Sequence, residues 1–230
     1  MKKRNAQAEK EKEDKDVIDH VGDFIEQQWR KGMSKVEEIF KDDKEADDKL
    51  FGYFKTFMDD KGVAAVTPSS KFLVDRTVKA MDVKNAKVIV EYGAAQGVMT
   101  KQILKRLPHD GRLLAIELND DLYRELTSRV NDPRLITVNG DVRNIEKIVE
   151  QYGLGPVDVI VSGIPFAFLS GRGRHELLKS TSDLLRPGGR FVAYQVTTHL
   201  IPLLKDYFRR VKTEFEIRNL PPHFVFTSFK

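Results

Sequence analysis

One short segment constrains this chain more than any other. Residues 91–97 read E-Y-G-A-A-Q-G; they follow the apolar run 88–90 and precede apolar residues at helical spacing, namely Met99, Ile103, Leu104 and Leu107. The pattern predicts a strand, a tight turn of small residues and the start of a helix. Gly93 and Gly97 have no Cβ, so the backbone can turn sharply and approach a ligand closely, while the N–H groups of the helix face into the turn. We therefore expect a nucleotide-like ligand here.

The spacing of the small residues decides which nucleotide to expect. A dinucleotide site needs G-x-G-x-x-G, whereas this turn reads E-x-G-x-A-x-G, with an acid two positions before Gly93. It resembles motif I of the class I S-adenosylmethionine-dependent methyltransferases, usually E/D-x-G-x-G-x-G, with Ala95 where the middle glycine is expected. The resemblance implies that Glu91, Tyr92, Gly93, Ala95 and Gly97 bind S-adenosylmethionine. Taken alone, the turn could also be any buried strand that runs into a helix.

The composition excludes several kinds of site. The 230 residues, 40% of them hydrophobic, suffice for one α/β domain with an appendage. Without cysteine there are no disulfides, no thiolate metal ligands and no cysteine nucleophile, and we predict no metal site. The basic start at 1–4 runs into alternating charges at 9–12 rather than an apolar stretch, and no segment has the roughly 18 apolar residues of a membrane span. We expect a cytoplasmic protein.

The net charge of +4 is unevenly distributed. Residues 1–62 carry 14 Lys and Arg against 17 Asp and Glu, or −3, which leaves 25 against 18, or +7, for residues 63–230. A basic domain suits an anionic partner such as RNA or an acidic membrane surface. An excess of this size is also within the range that only keeps a domain in solution. Both interpretations stay open from the sequence.

The hydrophobic pattern divides the chain into three parts. Residues 1–16 are almost all polar or charged, which predicts a disordered tail. Residues 17–62 show apolar positions three and four apart, which predicts an amphipathic helical extension. Residues 63–230 contain the glycine-rich turn and the alternating elements described below, and we predict that they form the catalytic domain.

The helical extension has the features of an interfacial membrane anchor. One face carries the apolar residues Phe24, Ile25, Trp29 and Phe40, with basic residues beside them. Acidic residues make its polar face close to neutral, so the attraction to anionic lipids would be weak. Packing on the catalytic domain or on a second subunit is an equal alternative, and the oligomeric state stays open.

Beyond residue 86 strands and helices alternate, which predicts a parallel sheet covered on both faces. The predicted parallel strands are Val88–Glu91, Arg112–Leu118, Leu135–Val138, Val157–Val161 and Arg190–Thr197. The last two strands, Thr213–Arg218 and His223–Phe229, are separated by too few residues for a crossover helix and should pair antiparallel. This order resembles the Rossmann-like seven-stranded methyltransferase sheet, an α/β fold, here with an N-terminal helical extension.

Two acids follow the second and third predicted strands. Glu117, with Leu118 after it, ends the second strand, where an acid can accept both hydroxyls of a ribose that lies across the strand ends. The sequence G-D-V follows the third strand. It resembles the methyltransferase motif in which Asp141 bonds the adenine amino group and the backbone N–H of Val142 bonds the ring. A helix cap is the alternative for Glu117, and an ordinary turn is the alternative for Asp141.

The fourth predicted strand runs into Ser162-Gly163-Ile164-Pro165-Phe166, which we assign to the catalytic site. Methyltransferases of planar amino groups place Asn/Asp-Pro-Pro-Tyr or Asn-Leu-Pro-Tyr in this frame, so that a polar side chain accepts the hydrogens of the amine and the aromatic ring stacks on the base. The glycine here lacks that acceptor, which weakens a nucleic-acid substrate. Phe166 could stack or offer a cation–π face to an amine that gains methyl groups. Alternatively, Pro165 ends the strand and Phe166 packs in the core.

Four segments together narrow the resemblance. They are S-G-I-P-F at 162–166, L-L-R-P-G-G-R-F-V at 184–192, V-T-P-S-S at 66–70 and R-N-L-P-P at 218–222. Together they look like the bacterial phospholipid N-methyltransferases, which methylate phosphatidylethanolamine stepwise towards phosphatidylcholine. The resemblance covers residues 63–230. It implies an aminophospholipid substrate at the inner membrane face, with Ser69 and Ser162 in the cofactor site; Ala95 departs from the family pattern.

Methyl transfer needs little acid–base machinery, because the leaving group is already activated by its positive charge and positioning supplies most of the rate. The amine must arrive neutral, and Tyr92, Tyr194 or His175 could relay its proton. Arg172, Arg174 and His175 could hold a lipid phosphate by charge-assisted bonds, or they could simply face solvent.

Two functions of other classes remain alternatives. The basic domain and Phe166 keep open a soluble methyltransferase of protein or of RNA, such as an adenine dimethylase. The other is a non-catalytic helical interaction protein whose sheet only binds a nucleoside. A lipid substrate predicts activity that depends on membrane or detergent, an RNA substrate predicts strongly salt-dependent RNA binding, and the interaction protein predicts no turnover.

Overall fold

The computed structural model describes residues 69–219 and 222–230. The predicted tail at 1–16 and the predicted helical extension at 17–62 lie outside the described residues, as do the first residues of the predicted catalytic domain. The described part is an α/β unit in which one seven-stranded sheet carries helices along both faces.

The sheet confirms the predicted Rossmann-like topology. Its strands are β1 (Val88–Tyr92), β2 (Arg112–Glu117), β3 (Leu135–Asn139), β4 (Val157–Ser162), β5 (Leu185–Gln195), β6 (Arg210–Glu216) and β7 (His223–Phe229). They lie in the order β3-β2-β1-β4-β5-β7-β6. The first five strands run parallel, and β7 pairs antiparallel with both β5 and β6. The predicted C-terminal hairpin is therefore present.

Six α-helices connect the strands in the described residues. They are α1 (Lys71–Met81), α2 (Val98–Leu104), α3 (Asp120–Arg129), α4 (Ile145–Gln151), α5 (Gly171–Leu184) and α6 (Leu200–Tyr207). The predicted cap before α1 is formed by Ser70, whose side chain accepts the Leu73 N–H. Asn119 caps α3 in the same way. None of these six helices is long and apolar enough to cross a bilayer.

The sheet separates two apolar layers because successive side chains of a strand point to opposite faces. On one face Val90 packs with residues of α4 and α5, including Leu178. On the other face Ile89 packs with α1 and α2, through Leu73 and Ile103. The central strands β1 and β4 are covered on both sides, which explains why their sequences are almost continuously apolar.

The fifth strand begins earlier than predicted. We expected Arg190–Thr197, whereas pairing with β4 starts at Leu185 opposite Val157 and continues, after a shift of register, at Arg190 opposite Val159. The R-P-G-G segment therefore bulges out of the ladder rather than preceding it, and Gly188 supplies the positive φ of +78° that such a bulge requires.

A buried carboxylate joins three strands at the amino-terminal edge of the sheet. Asp158 of β4 accepts the N–H groups of Lys87 and Val88, at 2.8 and 2.9 Å, where β1 begins. It also pairs with the Arg186 guanidinium of β5. Burial alone would raise the pKa of Asp158, but the hydrogen bonds from Val88, Arg186 and Lys87 outweigh it and lower the pKa.

Replacing Asp158 by alanine should destabilise the fold by about 2 kcal/mol, because two main-chain N–H groups lose their acceptor. The lowered pKa means that this stabilisation is present above the unfolded pKa of about 3.9 and is lost as the pH falls through the folded value. Denaturant unfolding at pH 7 and in acid measures the difference. Asp75→Ala is the control, because its ion pair with Arg106 is exposed and should change stability by about 0.5 kcal/mol or less. Equal stability of the two variants at pH 7 would contradict the role given to Asp158.

Candidate functional site

The loops that follow β1, β2, β3 and β4 meet at the carboxyl edge of the sheet. The register brings Tyr92 opposite Ile116 on one side and opposite Ser162 on the other, and it brings Glu117 opposite Asn139. Because parallel strands end at the same edge, residues predicted from separate segments of the sequence come together here. This edge is the candidate site.

The turn after β1 has the backbone conformation that its small residues predict. Gly93, Ala95 and Gly97 all have positive φ, at 71°, 47° and 82°. For Ala95 this left-handed conformation costs about 1 kcal/mol, which explains why a glycine is the usual residue of the motif. The two glycines are also required by space. A Cβ on Gly93 would lie 2.8 Å from a methyl group of Ile164, and one on Gly97 would lie 2.8 Å from Leu126 of α3.

The Glu117 carboxylate lies beside this turn. It accepts the N–H of Ala95 at 2.8 Å and the N–H of Asn119 at 2.9 Å, and the Leu118 N–H adds a third bond. Burial raises the pKa of Glu117 although these N–H groups oppose the shift. A carboxylate has about four acceptor positions, so capacity remains for a hydroxyl donor. The residues present therefore fit a ribose at this position, and its contact with Glu117 stays a prediction.

The two residues that end β1 point to opposite faces of the sheet. Glu91 is buried on the side of α2, where it accepts the Thr100 hydroxyl at 2.7 Å, and burial raises its pKa to about 8. Tyr92 is fully buried on the side of α5, with its hydroxyl 3.1 Å from that of Thr181. The Tyr92 side chain is thus part of the core, and only its main chain borders the turn.

The loop after β3 holds the second predicted acid. Asp141 accepts the Arg143 N–H at 2.8 Å and the Arg143 Nε at 2.7 Å, which makes it the cap of a short 3-10 helix. Gly140 donates its N–H to the Glu117 carbonyl at 3.0 Å, so this loop is tied to the end of β2. The Val142 side chain is buried in the core, which leaves its main chain for the predicted contact with an adenine ring.

The S-G-I-P-F loop after β4 is held by its neighbours. The Gly163 N–H donates to the Tyr92 carbonyl at 3.1 Å. Gln195, at the end of β5, donates its amide to the Ile164 carbonyl at 2.8 Å and accepts the Phe166 N–H at 3.1 Å. Ser162 is fully buried, and its hydroxyl has no hydrogen-bond partner among the described residues. The loop therefore has a fixed backbone next to the turn after β1.

The Phe166 ring lies in the core and is not open to a substrate. The residue is 2% exposed, and its ring meets that of Phe191 edge-on, with centroids 6.1 Å apart. We predicted that this ring could stack on a substrate, with core packing as the alternative. The structure gives it the packing role, because Pro165 turns the chain so that the ring returns to the apolar layer.

The Tyr194 hydroxyl lies at the same edge. A Cβ built on Gly163 would overlap this oxygen and would lie 2.7 Å from the ring carbon that carries it. The hydroxyl is hydrogen-bonded to Ser69, the first described residue of the chain and a predicted cofactor residue. Burial and the nearby Glu91 carboxylate raise the pKa of Tyr194.

The hairpin turn between β6 and β7 fixes the position of Ser69. Asn219 accepts the N–H of Ser70 through its side-chain oxygen at 2.7 Å, and Arg218 lies over the Phe72 ring at 4.1 Å. The first two residues of the R-N-L-P-P segment therefore anchor the start of α1 beside the site. Sequence reasoning recognised this segment without giving it a role, and it missed Gln195.

The basic residues predicted for a lipid phosphate are engaged elsewhere. Arg172 pairs with Glu176 along the exposed side of α5, and Arg174 donates to the Leu169 carbonyl at 2.8 Å. His175 lies 2.8 Å from the Tyr207 hydroxyl. Among residues 69–219 and 222–230, no group of three or more His, Asp or Glu side chains is arranged to hold a metal ion.

Known proteins resemble this chain in sequence and in fold. Residues 89–189 match the family model described as a methyltransferase domain. The ornithine lipid N-methyltransferase of Singulisphaera acidiphila is 34% identical over 173 residues, which cover 73% of this chain and 88% of that protein. The solved O-methyltransferase of Bacillus cereus in complex with SAH superposes with a TM-score of 0.60, covering 77% of this chain and 90% of that one. At 14% identity this similarity shows the fold alone.

An RNA-modifying enzyme is similar over a shorter stretch. Ribosomal RNA small subunit methyltransferase H of Clostridium botulinum is 29% identical over 90 residues. The stretch covers 39% of this chain and 29% of that enzyme. Most of the RNA enzyme therefore has no counterpart in the match.

Glu117→Gln should weaken the binding of S-adenosylhomocysteine by about tenfold or more, because a charge-assisted hydrogen bond contributes about 1.5–3 kcal/mol. The substitution keeps the shape of the side chain and removes its charge. Calorimetry measures the affinity, and Glu150→Gln, an exposed site on α4, is the control. Wild-type affinity in a folded Glu117→Gln protein would remove the residue from the cofactor site.

Proposed function

The chain belongs to the class I S-adenosylmethionine-dependent methyltransferases, and we propose that it methylates the amine of an aminolipid at a membrane surface. Its cofactor is S-adenosylmethionine. Phosphatidylethanolamine, converted stepwise towards phosphatidylcholine, is the acceptor that the sequence motifs favour. Ornithine lipid is the acceptor in the name of the relative, and it shares the essential chemistry of a primary amine on a lipid.

The observation that carries this proposal is the extent of the lipid-enzyme match. Identity of 34% over 88% of the Singulisphaera acidiphila protein includes both the cofactor edge and its surroundings. The match to the RNA enzyme leaves most of that enzyme unmatched. The end of β4 points the same way, because Gly163 offers no side-chain acceptor to a planar base amine.

We assign different residues at the carboxyl edge to different parts of the cofactor. Glu117 would hold the ribose hydroxyls, and Asp141 would accept the adenine amino hydrogen, with the turn at 93–97 against the remainder of the cofactor. When bound, S-adenosylmethionine supplies a methyl group activated by a sulfonium charge. The chain itself then has to orient the amine and keep it neutral.

Neutralising the amine depends on its surroundings. Moving an ammonium into a partly dry site lowers its pKa and favours loss of its proton to water. In each round the nitrogen gains a methyl group and, if it starts as an ammonium, releases one proton. No strong base is required for this step, so we assign the chain a positioning role in the reaction rather than a proton-abstracting one.

One experiment tests the acceptor. The purified full-length chain is incubated with radiolabelled methyl donor and, separately, with vesicles of phosphatidylethanolamine, with vesicles of ornithine lipid, with total RNA and with total protein. We expect label in a lipid fraction, dependent on vesicles or detergent. Label in ornithine lipid alone would mean that the acceptor is ornithine lipid rather than phosphatidylethanolamine, and methylation of a lipid amine would still be supported.

The same experiment contains the outcome that opposes the proposal. The +7 charge of residues 63–230 and the partial match to an RNA enzyme keep RNA as the second candidate. Label in RNA, together with RNA binding that weakens steeply with salt, would replace the lipid proposal. Absence of label from all four acceptors would overturn it as well.

Contact with the membrane is the part of the proposal that rests on residues 17–62. Trp29 is the single tryptophan of the chain, so its fluorescence reports directly on this segment. Adding anionic vesicles should shift its emission to the blue, and deleting residues 1–40 should lower activity on vesicles much more than cofactor affinity. An emission that is already blue without lipid and does not change would mean that the segment packs on protein.

A further inference from the structure

We propose that the Tyr194 hydroxyl receives the substrate amine, in the place that a side chain at position 163 would otherwise occupy. The inference deepens the proposed function, on which it rests, because it names the residue that contacts the acceptor. Tyr194 is also one of the three residues, with Tyr92 and His175, that the sequence offered as a relay for the proton of the amine.

The Tyr194 oxygen occupies the space beside Gly163. A Cβ on this residue would overlap the Tyr194 oxygen, so the hydroxyl and a side chain at 163 exclude one another. The observed position of the Tyr194 hydroxyl therefore requires a glycine at position 163. Tyr194 belongs to β5, where it pairs with Val225 of β7. Its hydroxyl oxygen, from a strand next to β4, therefore lies at the end of β4.

The same oxygen lies close to the loop that contacts the predicted cofactor turn. Gly163 and Ile164 are consecutive, and Ile164 contacts the place where Gly93 lacks a side chain. The Tyr194 hydroxyl thus lies one residue away from the contact between the β4 loop and the glycine-rich turn. We therefore expect an acceptor amine that meets the cofactor at this turn to lie close to this hydroxyl.

The chemistry of the hydroxyl suits a neutral amine. A phenol is one donor and also an acceptor. The bond to Ser69 uses one of these capacities, and when Tyr194 is the donor its oxygen lone pairs remain for an amine N–H. Its raised pKa keeps the group neutral at physiological pH, so it can hold a neutral amine by hydrogen bonds without competing for its proton.

The other two candidates are placed for different roles. The Tyr92 hydroxyl is buried on the opposite side of the sheet, beside Thr181. His175 bonds to Tyr207, and the two rings form a contact between α5 and α6. Neither group lies beside Gly163, where the Tyr194 oxygen is found.

The test compares Tyr194→Phe with Tyr207→Phe, which removes the same hydroxyl from a tyrosine outside the site. We expect kcat/KM for the aminolipid to fall about tenfold or more in Tyr194→Phe, and S-adenosylhomocysteine affinity, which reports on the lost bond to Ser69, to fall by much less than kcat/KM does. Tyr207→Phe should keep wild-type kcat/KM. Gly163→Ala should reproduce the Tyr194→Phe loss, and the double variant should lose no more than either single one, because both changes remove the same contact.

A binding measurement gives a readout independent of turnover. Wild type loaded with S-adenosylhomocysteine should bind phosphatidylcholine vesicles that contain its unmethylated acceptor, phosphatidylethanolamine or ornithine lipid, more tightly than vesicles of phosphatidylcholine alone. Tyr194→Phe should lose this preference. Wild-type kcat/KM and preference in Tyr194→Phe would overturn the inference while the proposed function stands. If wild type methylates no aminolipid, both proposals fail.

Discussion

The ends of the central strands approach so closely that two side chains have to be absent. Gly93 lacks a Cβ where Ile164 lies, and Gly163 lacks one where the Tyr194 hydroxyl lies. These two contacts join β1 to the β4 loop and the β4 loop to β5. Because protein interiors are closely packed and do not deform easily, the positions of the turn, the loop and the tyrosine are mutually fixed. The rest of the site is built around this row of contacts.

Buried carboxylates complete the arrangement, and each has its own means of support. Glu117 is held by main-chain N–H groups that include Ala95, so the acid of β2 also steadies the turn of β1. Glu91 accepts the Thr100 hydroxyl, and burial raises its pKa to about 8. A charged group is costly to bury, which explains why burial raises the pKa of both acids. At the opposite, amino-terminal edge of the sheet, the Asp158 carboxylate has a structural role, because it accepts two main-chain N–H groups where β1 begins.

The sequence predicts the sheet well because its signals are local. Alternating strands and helices, the glycine-rich turn and the short link between the last two strands each determine one feature without knowledge of the others. The predicted start of β5 was wrong, because the sequence R-P-G-G is typical of a turn. Only the pairing of Leu185 with Val157 shows that this segment lies within the strand. Phe166 had two consistent interpretations, and its burial is decided by Phe191, which is 25 residues away in sequence. The role of Gln195 depends on contacts that no local pattern contains.

The pairing of a glycine at the end of β4 with a tyrosine from β5 bears on the kind of amine that fits. An amide side chain presents a coplanar donor and acceptor, which matches the edge of a base. A hydroxyl rotates about its bond and has no such plane, so it suits an aliphatic amine, whose hydrogens are arranged tetrahedrally and whose geometry changes as methyl groups are added. With glycine at position 163 the loop lacks the side chain that recognises a planar amine, and in the proposed arrangement the Tyr194 hydroxyl is the hydrogen-bond acceptor instead. The proposed role of Tyr194 therefore favours an alkyl amine, the kind that a lipid head group carries, over the exocyclic amine of adenine.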